Sequence, residues 1–401
     1  MRGAAVAVVG GSIAGCAAAR ALSRAGSAEV TVFERTGGAL RDRGVGLGLQ
    51  NDRFAELAAA GYVDPDTPWV RLSRRVWTVR DGAGTGAGGL GRTIGAQPFP
   101  FRSYDWGSLW NGLRRRVPAD VDYRAGAAVT AVEPEPDDGG VSLTLDDGRR
   151  ERFDAVIGAD GYRSVVRAAM FPGLAPEYAG YVGWRGTAEA LPAGADEADA
   201  HMVVFPGGQC ILYLIPAPGG RTRLNWVLYA TPPTDQPADR ETGELAAFLR
   251  GLVAEHFPPR WAATLLDTPV ESTFVQPIHD LSVPHYAAGR LLLLGDAATV
   301  TRPHIGSGAV KALQDATALE SAWHSGATLE EVVATYDAAR TPVGTALVAL
   351  ARRFGRAQLH HAPNWASMTE GDLSAWWREL NQGSDSHSGF GGHALRRDAR
   401  G

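Results

Sequence analysis

Ala5-Val6-Ala7-Val8-Val9-Gly10-Gly11-Ser12-Ile13-Ala14-Gly15 is the stretch on which the fold turns, and Glu29-Val30-Thr31-Val32-Phe33-Glu34 completes it. The apolar run to Val9 reads as a buried strand, Ile13 to Ala25 as a helix and Glu29 to Phe33 as a second strand, which together make a β-α-β unit. Its turn has the form GxGxxG with Ser12 in place of the middle glycine. Gly10 permits the tight turn, a small residue at Ser12 lets the backbone of Ser12, Ile13 and Ala14 approach a pyrophosphate, and Gly15 lets helix and strand pack closely. Glu34, nineteen residues after Gly15 and followed by Arg35, ends the second strand where a carboxylate can accept hydrogen bonds from a ribose diol. An acid at that place favours a free adenosine 2′-hydroxyl, as in FAD or NAD, over NADP.

Two other readings of the first twenty residues are set aside. A secretory leader needs a continuous apolar core, and here Gly10, Gly11, Ser12 and Gly15 break the run after Val9. A membrane span needs about eighteen consecutive apolar residues, and no such window is found. The 401 residues carry 39 basic and 44 acidic side chains, a net charge of −5, which argues against binding nucleic acid or an anionic membrane by bulk charge. Length suggests two domains with ample core. Cys16 and Cys210 stand in no metal-binding or disulfide pattern, so no metal site is expected and a reducing cytoplasm suits the chain. Lys311 is the only lysine.

Beyond the first unit, 35–50 is a glycine-rich loop leading to a helix near 52–60, and the low-complexity stretch 81–96 reads as a hairpin connection. Strands are expected at 75–79, 127–133, 141–145 and 153–158, the last running into Asp160-Gly161. From 178 to 229 the pattern becomes long alternating strands rich in aromatics, an antiparallel sheet and hence a second layer. A helix near 241–255, strands near 270–277 and 290–294, then Gly295-Asp296 and helices at 306–323 and 329–350 complete the body. The polar tail from Asn381 is expected to be disordered.

Three motifs thus lie where strands run into turns or helices: Gly10 to Gly15, Asp160-Gly161 and Gly295-Asp296. In this order, with an antiparallel sheet between the last two, they resemble the group A flavoprotein monooxygenases, the single-component FAD aromatic hydroxylases related to 4-hydroxybenzoate hydroxylase. Within that family the likeness is nearest to the 2,6-dihydroxypyridine 3-hydroxylases, through Ser103-Tyr104-Asp105, the run from Tyr178 to Gly186, and Thr301-Arg302-Pro303-His304. The resemblance implies an α/β fold with a Rossmann-like FAD-binding domain, an antiparallel-sheet substrate domain and C-terminal helices. The corresponding division is 1–75, 100–177 and 280–350 for FAD, 76–99 and 178–279 for substrate, 351–380 for a helical segment and 381–401 for the tail.

The resemblance also assigns residues. Gly10, Ser12, Gly15 and Glu34 would hold the ADP half of FAD; Asp160 would lie near the pyrophosphate and be linked to NAD(P)H use; Asp296 would bond the ribityl chain; Arg43 would approach the flavin phosphates. Pro303 precedes a helix expected to start near Gly306, whose N-terminal dipole and small residues Gly306 and Gly308 suit a reduced flavin carrying negative charge. Departures from the family pattern are Thr299 where histidine is common, and Asp105-Trp106-Gly107-Ser108-Leu109 where many members carry an arginine. His304, with an ordinary pKa near 6.5, is the candidate catalytic base or substrate contact. Trp184, Phe205, Tyr213 and Trp226 are the candidate ring-binding aromatics, and Arg185 is a salt-bridged sheet residue or a contact for an acidic group.

The implied activity is hydroxylation of an electron-rich aromatic or heteroaromatic molecule, using FAD, NADH or NADPH and O2 through a flavin C4a-hydroperoxide. The implied partners are the small aromatic substrate and O2, with no nucleic acid, no membrane span, and a homodimer left open. Baeyer–Villiger oxidation or epoxidation on the same scaffold, a flavin reductase or dehydrogenase, and a flavoprotein that only sequesters a small molecule stay open as alternatives. Flavin halogenases are disfavoured because they use a lysine early in the chain, and Lys311 lies elsewhere.

Overall fold

The computed structural model describes residues 3–26, 29–38, 40, 46–81, 89–135, 139–233, 243–269 and 273–382, with the backbone of 388–389 and 392–393. Two expectations fall largely outside these residues: Arg43, and the tail beyond Gln382.

The β-α-β unit forms as read, with strands Ala5–Val9 and Glu29–Glu34 paired in parallel around helix Ile13–Arg24. Parallel pairing continues outward from Ala5–Val9 to Ala155–Gly158 and then Leu291–Leu293, and on the other side from Glu29–Glu34 to Asp122–Ala125. Ala287–Ala288 adds an antiparallel edge, making six strands. The near-continuous apolar strands follow from burial on both faces. One partner is the Gly308–Ser325 helix, which packs against Ile13–Arg24. Because three parallel strands end side by side at Val9, Gly158 and Leu293, the turns that follow them share one edge of the sheet. That edge is where open α/β sheets place ligands.

The second layer is a nine-stranded sheet. Its core is the antiparallel set Phe274–Ser282, Glu177–Ala188, Thr222–Ala230, Gly208–Pro216 and Asp199–Phe205. Asp199–Phe205 pairs in parallel with Val70–Val79, beyond which lie Arg92–Asp105 and Gly46–Gln50. The sheet therefore draws on more of the chain than 76–99 and 178–279. Arg92–Asp105 is a strand where a loose connection is expected up to residue 96; it bulges beside its own Pro98 and Pro100, with Phe99 and Pro100 opposite the single residue Ser73 between the pairs Leu72–Phe101 and Arg74–Pro98. Helices Gly243–His256 and Pro259–Leu266 cover one face of this sheet.

Helix Leu329–Gly355 starts at a capping box between Thr328 and Glu331 and runs to a π-helical turn at Arg356–His360. Helix Glu370–Leu380 then returns Trp376 and Trp377 against Trp77 on the other face of the nine-stranded sheet. Among the described residues, no helix is long and apolar enough to cross a membrane.

Candidate active site

A groove of about 1100 Å³ runs along the shared strand edge and is lined by Gly10, Ser12, Ile13, Ala14, Glu34, Arg35, Asp160, Asp296 and Gly308, so three motifs far apart in the chain meet there. Gly10 is at φ 100° with its N–H donated to Phe33 O, and a Cβ on it would overlap the Ala159 carbonyl. A Cβ on Gly15 would overlap the Gly10 carbonyl, so Gly15 works from behind the groove by letting helix and strand touch. Ser12 is the N-cap of Ile13–Arg24 in extended conformation and its side chain makes no capping bond. The first-turn N–H groups, which have no intrahelical acceptors, and the positive end of the helix are therefore available to an anion.

The Gly11 peptide is pinned from two sides. Its N–H donates to Glu34 Oε2 at 2.8 Å, and its carbonyl accepts from Trp110 Nε1 at 3.0 Å, the Tyr123 hydroxyl at 3.0 Å and Cys16 Sγ at 3.3 Å. Glu34 also accepts from Thr36 N, which fixes its carboxylate at the groove wall. Trp110 and Tyr123 escape sequence reading, since nothing local marks a residue a hundred positions away as a brace for this turn.

Asp160 Oδ2 accepts from Val165 N at 2.7 Å, which orders the chain into the next helix, while its buried Oδ1 has no partner. Burial pushes this carboxyl up from the ordinary value. Asp296 is surrounded by protein, which also raises its pKa, yet its side chain is exposed to the groove. The turn that carries it is held from below: Asp315 Oδ2 accepts Gly295 N at 2.9 Å, and Lys311 Nζ donates to Gly295 O at 2.8 Å and to Asp315 at 2.8 Å. Arg340 closes the cluster on Asp315 Oδ1. All three charged side chains are buried. Burial alone would lower the Lys311 pKa; the adjacent Asp315 carboxylate more than reverses this, and the ammonium stays above its ordinary value.

The groove opens into a second cavity of about 320 Å³ between the nine-stranded sheet and the segment 296–309. Gly46, Leu47, Tyr162, Arg185, Gln276, Asp296, Gly308 and Ala309 line both spaces. Pro303 and Gly306 line the cavity, Gly306 at φ 60°, and the helix starts at Gly308, two residues later than read from the sequence. Ser307, its N-cap, has a buried hydroxyl with no partner.

Strand parity decides which aromatics reach the cavity. On Glu177–Ala188, Gly208–Pro216 and Thr222–Ala230 the odd-numbered residues face it, including Arg185, Gln209, Ile211, Tyr213, Val227 and Tyr229. Tyr213 is therefore a lining residue. Trp184, Phe205 and Trp226 point the other way, into the core under Gly243–His256 and Pro259–Leu266, which corrects their assignment as substrate contacts. Arg185 makes no salt bridge among the described residues and its Nε is buried without a partner. Asp105, at the stretch where many family members carry an arginine, caps Trp106–Arg115 and pairs with Arg223.

His304 lines the cavity in a short turn at Pro303–Ile305. Its Nε2 lies 2.7 Å from the Tyr181 hydroxyl and its Nδ1 2.9 Å from Gln209 Nε2, which also donates to Gln358 at 2.6 Å. With the Gln209 amide donating to Nδ1, the neutral ring carries its proton on Nε2 and donates it to Tyr181. Burial first, then the Arg302 charge, lowers the pKa to about 3. Both nitrogens are thus occupied and the ring is neutral at physiological pH, which corrects the expectation of a base with an ordinary pKa.

This depression has a consequence for stability. The unfolded chain takes up a proton near pH 6.5 that the folded ring refuses until about pH 3, so stability is full above that window and falls as pH drops through it, by about 1.4 kcal/mol per unit. Urea midpoints at pH 7 and pH 5 should show a loss about 2 kcal/mol larger for the wild type than for His304→Gln. Equal losses would mean that the ring protonates freely.

A family model described as an FAD binding domain matches residues 113–351, and one described as an NAD(P)-binding Rossmann-like domain matches residues 8–72. A 3-amino-4-hydroxybenzoate 2-monooxygenase of Streptomyces cremeus is 32% identical over 395 residues, covering 92% of this chain and 90% of the relative. An aurachin C monooxygenase/isomerase of Stigmatella aurantiaca is 29% identical over 364 residues, covering 88% of each. Among solved structures, 2,6-dihydroxypyridine-3-hydroxylase from Arthrobacter nicotinovorans is similar with a TM-score of 0.77 and 26% identity, covering 90% of this chain and 94% of that one.

Proposed function

The chain belongs to the FAD-binding domain family of flavin-dependent monooxygenases, and from that premise we propose that it hydroxylates an electron-rich aromatic or heteroaromatic small molecule at the expense of NADH or NADPH. The observation that carries this reading is the junction of the two spaces: a groove built for a dinucleotide opens, beside the start of the Gly308–Ser325 helix, into a ring-sized cavity walled by Tyr213, Tyr229, Phe99 and Phe101.

The residues present fit FAD. The uncapped start of Ile13–Arg24, the unpartnered Asp160 Oδ1 and Ser307 hydroxyl, and the glycine contacts that bring strand and helix together all leave room and hydrogen-bonding capacity for such a group. Gly10, Ser12, Ile13, Ala14, Glu34 and Arg35 would hold its ADP half, Gly15 supporting them, with Asp160 and Asp296 further along and Pro303, Gly306 and Gly308 beside the ring. Bound flavin supplies hydride acceptance from NAD(P)H and the activation of O2. The protein does the rest: the Gly308 helix start favours negative charge on the reduced ring, the cavity aromatics orient the substrate, and the apolar wall excludes water. His304, held between Tyr181 and Gln209, shapes the cavity and fixes the Gln209 amide at its edge.

The test is anaerobic reduction of the FAD-loaded protein by NADH or NADPH, followed by mixing with 18O2 in the presence of phenols and hydroxypyridines. Uptake of one labelled oxygen by an aromatic is the expected result. Immediate return of oxidised flavin without any oxygenated product would mean a reductase, and failure of reduction a binding protein.

A further inference from the structure

The cluster behind the Gly295–Ala297 turn holds more charge than the turn needs. Arg340 alone answers Asp315 Oδ1, with Nε at 2.7 Å and Nη2 at 2.6 Å. Lys311 brings a second cation to the same carboxylate, so the buried group of Lys311, Arg340 and Asp315 carries one positive charge in excess. Burial keeps the neighbouring Tyr286 and Tyr336 hydroxyls protonated, so neither offsets it. An excess charge in a dry interior is costly unless an anion lies near. Three acceptors take the three ammonium hydrogens: Gly295 O and Asp315 Oδ2 at 2.8 Å, and the Tyr286 hydroxyl at 3.3 Å. With no hydrogen left over, Lys311 can act on a ligand only through its charge. That charge is aimed at the groove. Lys311 stands one turn from the start of Gly308–Ser325, whose Gly308, Ala309 and Ala312 line the groove, and it adds to the positive end of that helix. Its charge is also felt across the turn: burial raises the Asp296 carboxyl, and Lys311 is the largest influence opposing the rise. Arg167, another cation behind this turn, donates to Ala297 O and faces Asp160 as well as Asp296.

We propose that Lys311 tunes the electron balance of the bound flavin: its fixed charge, held under the Asp296 turn, favours the reduced, negatively charged ring over the oxidised, neutral one. This rests on the FAD reading above and holds whichever aromatic the cavity takes. Arg340 and Asp315 then anchor the turn as a neutral pair, and the lysine supplies the surplus.

The two-electron midpoint potential of the FAD-loaded protein, measured by slow reduction beside a reference dye, is the readout. Lys311→Met removes the charge and keeps the length of the side chain. It should weaken binding of reduced relative to oxidised FAD about tenfold, a fall of about 30 mV. Asp315→Asn removes a counter-charge from the same cluster and should raise the potential by a similar amount. The double variant leaves the single positive charge of Arg340, as many as the wild-type cluster carries, and should return to within about twofold, about 10 mV, of the wild type. A structural disturbance lacks this signature, since it would move both single variants the same way and the double variant furthest. Affinity for oxidised FAD is measured alongside by quenching of flavin fluorescence. An unchanged potential in Lys311→Met, or shifts of the same sign in the two single variants, overturns the proposal. So does an equal loss of affinity for both redox states, which would make the diphosphate the lysine's partner. Should Lys311→Met not hold FAD, the sign of the Asp315→Asn shift decides, a fall overturning the proposal. Failure of the wild type itself to bind FAD would remove the FAD reading, and the proposal with it.

Discussion

Asp315→Ala is expected to lower stability by about 3–5 kcal/mol, because it strands two buried cations without their counter-charge. Lys311 and Arg340 both converge on this carboxylate, and all three side chains are buried. The same oxygen that binds Lys311 accepts the Gly295 amide, so the turn that presents Asp296 loses its anchor as well. FAD affinity should fall with stability. Urea unfolding of the FAD-free protein measures the first, and quenching of flavin fluorescence on binding measures the second. Asp315→Asn keeps acceptors for Gly295 and Lys311 but not the charge, and should lie between the alanine variant and the wild type. An Asp315→Ala protein within about 1 kcal/mol of the wild type would mean that the cluster carries no stabilisation.

Gly15→Val should abolish FAD retention. A Cβ at Gly15 overlaps the Gly10 carbonyl, and backbone on both sides cannot give way as a flexible side chain can. The first helix would have to withdraw from its strand, costing about 1–3 kcal/mol or more in overpacking and moving the Ser12 to Ala14 amides from the groove. The ratio of flavin to protein absorbance after purification is the readout, with Gly38→Ala as the control, since a Cβ there meets nothing within 4 Å. Full flavin content in Gly15→Val would remove the close-approach argument for this turn.

The dinucleotide unit was legible because its information is local. A strand, a glycine turn, a helix and an acid at the next strand end occupy thirty consecutive residues, and each has a chemical reason to be where it is. The cavity wall was not, because facing depends on register. Trp184 and Arg185 are neighbours in sequence and point to opposite faces, and composition alone favours the tryptophan. His304 illustrates a further limit: Tyr181 and Gln209, which occupy its nitrogens, and the burial that chiefly lowers its pKa are brought to it only by the packed structure. The Arg92–Asp105 strand was obscured by the glycine-rich run at its start, and its prolines are tolerated because the strand itself bulges beside them.

The solitary lysine has a use outside chemistry of any kind with oxygen. Lys311 is wholly shielded in the folded protein, so an acylating reagent finds no lysine to modify until the helix that carries it moves away from the core. Its rate of acylation is therefore a one-residue clock for opening events, read by mass on the peptide that carries Lys311 and free of overlap from other lysines. Slowing of that clock by FAD would time how firmly the cofactor clamps the two layers around it.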